Sequence, residues 1–430
     1  MREEFLHYLW QHQKWKAMKL HTTEGIDLCV ISPGRINTDA GPDFFNAKLK
    51  IDQQLWAGNI EIHIRSSDWY AHQHHKDNRY NSVILHVVWH HDVEVYREDE
   101  TSIPVLELNK YISKTLLKKY EELFQSPQSW IACQNSLHKV SKFTTNAWLE
   151  RMYLDRLERK ANELLHDAEQ SKYHWEALLF MQLAKSFGLN VNGDAFYQMA
   201  ISIPFHVIQK SQYDVLELEA LMFGQAGLLN QDVNDKYHQD LKQKYLFLKN
   251  KFSLVSPVLR PKFFRLRPDN FPTIRLSQLA SLYHQNSNLF SDWMKDWEVK
   301  EFYTKYRVKA SQYWDLHYNF GVASKSKAKY LSKNFMELIW INTLIPMRFV
   351  YFRYLEQDNS EKIMTEMQGL KAEHNSIVQN YSKFGLEAKN ALQSQALLQL
   401  YNTFCRTNRC LSCEIGNTIL KASEKSIRDD

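Results

Sequence analysis

From Asn46 to Arg65 apolar and polar residues alternate in two runs separated by a polar break. The first is Asn46-Ala47-Lys48-Leu49-Lys50-Ile51, the break is Asp52-Gln53-Gln54, and the second runs from Trp56 to Arg65. A period of two sends successive side chains to opposite faces of a strand, so the segment predicts a β-hairpin turning near Asp52–Gln54. Paired positions in a hairpin sum to a constant, which brings Asp43 opposite the Glu61–His63 stretch. Glu61, His63 and Arg65 share one face of their strand; Ile60, Ile62 and Ile64 share the other. Two carboxylates and an imidazole therefore converge on the polar side of a sheet whose other side is core.

The same pattern organises the flanks. Residues 3–13 predict a short amphipathic helix with Phe5, Leu6, Leu9 and Trp10 apolar. Lys16 to Lys50 reads as short strands and turns, clearest at Ile26–Ile31 and Ala47–Ile51. Ser66 to Asn81 is polar and His-rich, a loop or one short helix. Val83 to Trp89 is a continuous apolar run, which predicts a strand buried on both faces. Ile103 to Leu108, with Pro104 inside it, predicts an edge strand. The order is helix, three strands, short helix or loop, then further strands.

From about residue 111 the period becomes helical. Ile112 to Phe124 is one helix, and Thr144/Thr145 are placed to cap a long one carrying Trp148, Leu149, Met152, Leu157 and Leu164. Further helices are expected near 174–187, 213–224, 235–253, 275–284, 334–345, 360–382 and 385–404. Pro257, Pro261, Pro268 and Pro272 punctuate the segment between two of them. The reading is α+β: a mixed α/β sheet domain at 1–110, then a large all-α domain at 111–430.

Composition narrows the class. The 430 residues are 44% hydrophobic and 24% charged, an ordinary globular balance, and 13% aromatic with 12 glycines favours packed helices over loops. The N-terminus shows no apolar signal region. Phe335 to Tyr354 is apolar but interrupted by Glu337, Asn342, Pro346, Arg348 and Arg353, so it is expected to be a buried helix pair and not a membrane span. Five cysteines, an odd number, point to a reducing cytoplasm. Residues 1–110 carry a net charge of −4 and residues 111–430 a net +9, an arrangement compatible with a polyanionic substrate such as a nucleic acid.

Asp43 and Glu61 have the chemistry of a site for a hard divalent cation, Mg²⁺ or Mn²⁺, with His63 placed to position or deprotonate water. Gly41-Pro42-Asp43-Phe44 followed by Glu61-Ile62-His63 resembles a variant of the PD-(D/E)xK nuclease core. Pro42-Asp43 stands for the first part and Glu61-Ile62-His63 for the second, with His63 where that superfamily has Lys. The resemblance implies that Asp43 and Glu61 bind metal and that the reaction is phosphodiester hydrolysis. It covers about a quarter of the chain. Arg65, Asp68, Trp69, His72 and His74 follow closely enough to contact phosphate or base, and His72 and His74 to complete a metal shell.

Two alternatives stand beside the nuclease reading. Seven of the 18 histidines lie between His63 and His91, and His72/His74/His75 with Asp77 could serve a zinc-dependent hydrolase. A catalytically inactive module that binds nucleic acid or protein is the other, since His63 lacks the permanent charge of Lys. At the C-terminus, Cys405, Cys410 and Cys413 form a C-x4-C-x2-C trio, and Cys133 is available as a fourth ligand for zinc or an iron–sulfur cluster.

Over nearly its full length the chain is similar to an uncharacterised bacterial family catalogued as domain of unknown function 2851. The similarity rests on Gly41-Pro42-Asp43-Phe44, Trp56-x-Gly58-Asn59-Ile60-Glu61-Ile62-His63, Ser66-Ser67-Asp68-Trp69-x-x-His72-x-His74 and Val83 to Val88. It rests also on Arg267-Pro268-x-Asn270-Phe271-Pro272-x-Ile274-Arg275-Leu276 and on Cys410-Leu411-x-Cys413. The family implies kinship and no activity.

Overall fold

Seven strands build the sheet that the alternating runs predict. The computed structural model describes residues 1–16, 19–124, 129–255, 257 and 259–421. The strands are β1 (Leu20–His21), β2 (Asp27–Ser32), β3 (Arg35–Ile36), β4 (Phe44–Ile51), β5 (Gln54–Arg65), β6 (Val83–His90) and β7 (Val105–Glu107), with α1 (Glu3–Gln11) ahead of them and α2 (Asp68–Ala71) between β5 and β6. Their order is β1-β2-β4-β5-β6-β7, with β3 paired to β4. Pairing is antiparallel from β1 to β5 and parallel from β5 to β7, so the sheet is mixed.

The hairpin forms at the expected place. Ile51 pairs with Gln54, and Asp52 and Gln53 between them both take positive φ, 44° and 68°. That is the type I′ pattern, whose twist matches the twist of the strands. Phe44 pairs with Ile60 across a bulge at Asn46, which sets Asp43 beside Glu61. Phe44, Leu49, Ile60, Ile62, Leu85 and Val87 are buried on one face.

The other face departs from expectation. It is not solvated, because the crossover from β5 to β6 folds back over it. Trp69 and Tyr80 pack with Val83, Val88, Val95, Ile103 and Val105 into a second small core. Glu61, His63 and His86 are enclosed beside it. Segment 66–81 does this with α2 and two short 3₁₀ turns, His74–Lys76 and Asn78–Tyr80. The Val83–Trp89 run is, as its composition required, a strand with both faces covered.

The chain divides into two compact units. The first is Met1–Leu149 with Gln379–Glu387 and the stretch from Leu398 onward; the second is Glu150–Val378 with Ala388–Leu397. The change to helical period near residue 111 thus falls inside the first unit. Helices Lys114–Phe124 and Glu414–Lys421 lie there with the sheet, and the second unit is built of helices such as Trp175–Phe187, Leu189–Ile201, Val215–Gln225, Lys236–Lys251 and Pro272–Gln285. The long helix Lys142–Gln170 is capped one turn earlier than Thr144/Thr145 would do it: the Ser141 hydroxyl oxygen accepts the Thr144 N–H at 3.1 Å. The expected helix pair at 335–354 is one continuous run, Lys333–Ile339, a π turn Trp340–Leu344, then Ile345–Tyr354. Pro346 has no N–H and would clash with the preceding turn of an α-helix; the wider π turn relieves both. Among the described residues no helix is long and apolar enough to cross a membrane.

Candidate functional site

Asp43 and Glu61 are locked to each other by the hairpin backbone. The Asp43 N–H donates to Glu61 Oε2 at 3.2 Å, and the Ile62 N–H donates to Asp43 Oδ2 at 2.9 Å. Each carboxylate thus accepts from the strand that carries the other. From this pair two sets of donors extend in different directions.

The first set joins α1 to the hairpin. Glu3 and His7 stand one turn apart on α1, and His7 Nε2 lies 3.2 Å from Asp43 Oδ2. Ligand atoms of Glu3, His7 and Asp43 all fall within 4.8 Å of one another. Burial disfavours charge on His7, but its contact with Asp43 and the charges of Glu3 and Glu61 outweigh it and raise the imidazole pKa. Glu3 is raised as well, by burial first and Asp43 second.

The second set is imidazole-rich. His74 Nε2 is 3.2 Å and His63 Nε2 3.5 Å from Glu61 Oε1. His63 Nε2 is 3.1 Å from His72 Nδ1, and His63 Nδ1 is 2.8 Å from His86 Nε2. Ligand atoms of His63, His72 and His74 fall within 4.8 Å of one another. His74 is held by stacking on Tyr80, ring centroids 3.8 Å apart. Glu61 connects the sets, since Oε2 meets the Asp43 backbone and Oε1 meets His74 and His63.

Enclosure decides the charges. Burial, then the Asp43 charge, pushes the Glu61 carboxyl up to about 9. Burial, with His86, His74 and His72 adding, takes His63 down to about 2, and burial, with His74 and His91 adding, takes His86 to about 3. His63 and His86 are therefore neutral, the form in which His ligates metal. A His63 that ligates through Nε2 carries its proton on Nδ1 and donates it to His86 Nε2, the outer partner that fixes ring orientation.

The other expected residues are placed as follows. His63 is 1% exposed with both ring nitrogens engaged, Nδ1 by His86 and Nε2 by His72. His72 is exposed and Asp43, His7 and Glu3 are half-buried, so this rim is the open side. Trp69 is fully buried and its indole N–H donates to Tyr96 O, so it offers no face to a base; the second core claims it. Asp68 accepts the Arg65 N–H at 2.9 Å, a turn contact at the end of β5, and Arg65 itself is exposed. Asp77 pairs with Arg79 and caps the turn before Tyr80. His75 packs against Tyr70.

With the site in view, kinship can be stated. Residues 3–376 match the family described as "Protein of unknown function (DUF2851)". The chain belongs to this family. No curated protein and no solved structure matches it. In this DUF2851 chain the matched region spans both donor sets and the Arg267–Leu276 stretch of the second unit.

All five cysteines are free thiols in the first unit: Cys29 is exposed, Cys133, Cys410 and Cys413 are buried and Cys405 is half-buried. Every pair among Cys133, Cys405, Cys410 and Cys413 is close enough to interact electrostatically, although no three of these sulfurs lie within 4.8 Å of one another. Burial pushes Cys405 and Cys410 up to about 12. The Tyr381 hydroxyl is 3.1 Å from Cys405 Sγ, and the N–H groups of Ile415 and Gly416 favour the Cys413 thiolate. Gly416 is required there, because a Cβ would sit 2.1 Å from the Cys410 carbonyl oxygen.

Glu3, His7 and His86 are site residues that sequence reasoning passed over. Glu3 and His7 had a local signal, the i, i+4 spacing on the polar face of an amphipathic helix. His86 had none: a lone polar residue in an apolar strand reads as a core histidine.

Proposed function

We propose that this protein hydrolyses phosphodiester bonds of nucleic acid, DNA or RNA, in a metal-dependent reaction. Glu61, His63, His72 and His74 would hold the divalent cation, with Asp43, His7 and Glu3 beside it. The observation that carries the reading is the junction at Glu61, where an oxygen-rich and an imidazole-rich donor set meet in an enclosed but open-sided site. Imidazole ligands favour Mn²⁺ or Zn²⁺ over Mg²⁺, so the zinc alternative and the nuclease reading share one centre. The order α1, five antiparallel strands β1 to β5, α2 and parallel β6 supports the PD-(D/E)xK resemblance.

The ion would polarise a phosphoryl oxygen and acidify water. The chain's own residues supply the rest. Glu61, raised beside Asp43, gives up its proton on ligation. Asp43 orients His7, whose raised pKa lets it carry positive charge in the place of the missing Lys. His72 and His74 stand at the open rim, where a phosphate would enter. The five free cysteines fit a reducing cytoplasm.

The test incubates purified protein with single- and double-stranded DNA and RNA plus Mg²⁺, Mn²⁺ or Zn²⁺. Cleavage is expected with Mn²⁺ or Zn²⁺, and Asp43→Asn and Glu61→Gln should each lower it at least ~10²-fold. Activity unchanged in both variants, or no cleavage under any condition, sinks the assignment. Salt-sensitive binding without turnover would instead identify a binding module, a reading favoured by the enclosure of His63.

We propose also that Cys133, Cys405, Cys410 and Cys413 ligate an iron–sulfur cluster. Four mutually close thiols supply the ligand set that such a cluster takes.

A further inference from the structure

The second unit contains a cavity of about 670 Å³ lined by Arg267, Arg275, Arg307, Lys327, Lys329 and Lys333, with Asp269 the one carboxylate among its lining residues. Arg267, Asp269, Asn270 and Arg275 of the Arg267–Leu276 stretch, which the phosphodiesterase reading leaves without a role, form one part of its wall, and residues 327–333 form a larger one. From this cavity we infer a binding site for a small phosphorylated ligand, a nucleoside di- or triphosphate.

Arg275 is the fixed element. It sits on the buried helix Pro272–Gln285, is 6% exposed, and lies with its guanidinium 3.6 Å over the Phe335 ring. Nη1 donates to Gln278 Oε1 at 2.9 Å and Nη2 to Asn270 Oδ1 at 2.5 Å, but Nε has no partner. A buried guanidinium with neutral partners and one unsatisfied N–H is costly unless an anion completes it. Burial lowers its pKa only to about 10, so it remains a cation.

The other charges sort into spent and available. Lys329 is buried and its ammonium is taken by the carbonyls of Trp314, Asp315 and Lys327, so it contributes charge without a donor to spare. Lys327 pairs with Asp269 at 2.8 Å. Arg267, Arg307 and Lys333 are exposed, and among the described residues none has a carboxylate partner. Three unpaired cations above a buried fourth match a chain of phosphates. The cavity exceeds what one phosphate fills and lies in the usual range for small-ligand sites. Two aromatic rings stand in its wall: Arg307 lies 4.8 Å from the Tyr330 ring centroid and Lys333 5.5 Å from that of Tyr303. They offer a nucleobase a stacking surface beside the phosphate donors.

The full chain is titrated calorimetrically with ATP, inorganic triphosphate and a short single-stranded oligonucleotide. ATP and triphosphate should bind and raise the melting temperature, more weakly at higher salt. Arg307→Glu with Lys333→Glu, both on exposed side chains, should leave the ligand-free melting temperature unchanged and weaken ATP binding at least roughly tenfold. Tyr330→Ala should weaken ATP but not triphosphate. No binding of either compound, equal binding by the charge-reversal variant, or binding of the oligonucleotide alone would overturn the proposal. Nuclease activity is measured on the same variants and should persist, which separates this site from the one at Glu61.

Discussion

Glu61 keeps its proton far above the ordinary carboxylate range because the fold removes water from it and sets Asp43 beside it. The same physics acts on a residue that no proposed reaction uses. Glu219, on helix Val215–Gln225, is wholly buried, and burial raises its pKa above 4.5. The Tyr237 hydroxyl donates to its Oε2. With a raised folded pKa, its contribution to stability is complete below the unfolded value and declines as pH rises, because only the unfolded chain ionises freely. Glu219→Gln keeps the shape and removes the ionisation. The melting temperature of the variant should therefore gain on that of the native chain as pH rises above the ordinary carboxylate range. A difference that does not change with pH would show that Glu219 ionises freely in the folded state.

At the scale of elements, the β4–β5 hairpin was legible because its information is local: alternation gives the strands, a two-residue polar break gives the turn, and register follows. Asp43 beside Glu61 came out of that arithmetic. What the pattern could not show is that Asp52 and Gln53 both adopt left-handed backbone. Asp tolerates that region; Gln does so at a cost. Gln53→Gly should stabilise the protein by up to about 1 kcal/mol in denaturant unfolding, with an unchanged m-value. A loss of stability would mean that the Gln53 side chain contributes more than its backbone costs. The covering of the polar face by segment 66–81 was not legible either. That segment has no long period, and its two 3₁₀ turns are placed by Trp69 and Tyr80 finding Val88 and Val105, residues distant in sequence.

Over the whole molecule, the chain returns to its beginning. Stretches 379–387 and from 398 onward belong to the first unit with the sheet. Trp130 packs on Tyr381, Phe384 and Tyr401, and the cysteine trio meets Cys133. A cluster there would tie the C-terminal stretch to the sheet-bearing unit. Protein purified without oxygen should contain iron and acid-labile sulfide, and Cys133→Ser should lose both and melt at lower temperature. Zinc in place of iron would point to a single ion, and no bound metal would remove the proposal.

By itself the sequence determined the α+β class, the hairpin, the pairing of Asp43 with Glu61 and the doubly buried β6, because each is written in neighbouring residues. Only the tertiary structure brought Glu3 and His7 to Asp43, ran His86, His63 and His72 into one chain and closed the cysteines on Cys133. It also gathered the charges of the second unit round Arg275. Those groups lie far apart in sequence, and which of them meet depends on how apolar surfaces elsewhere are buried. The shifted acidities follow from the same burial, which no local pattern records.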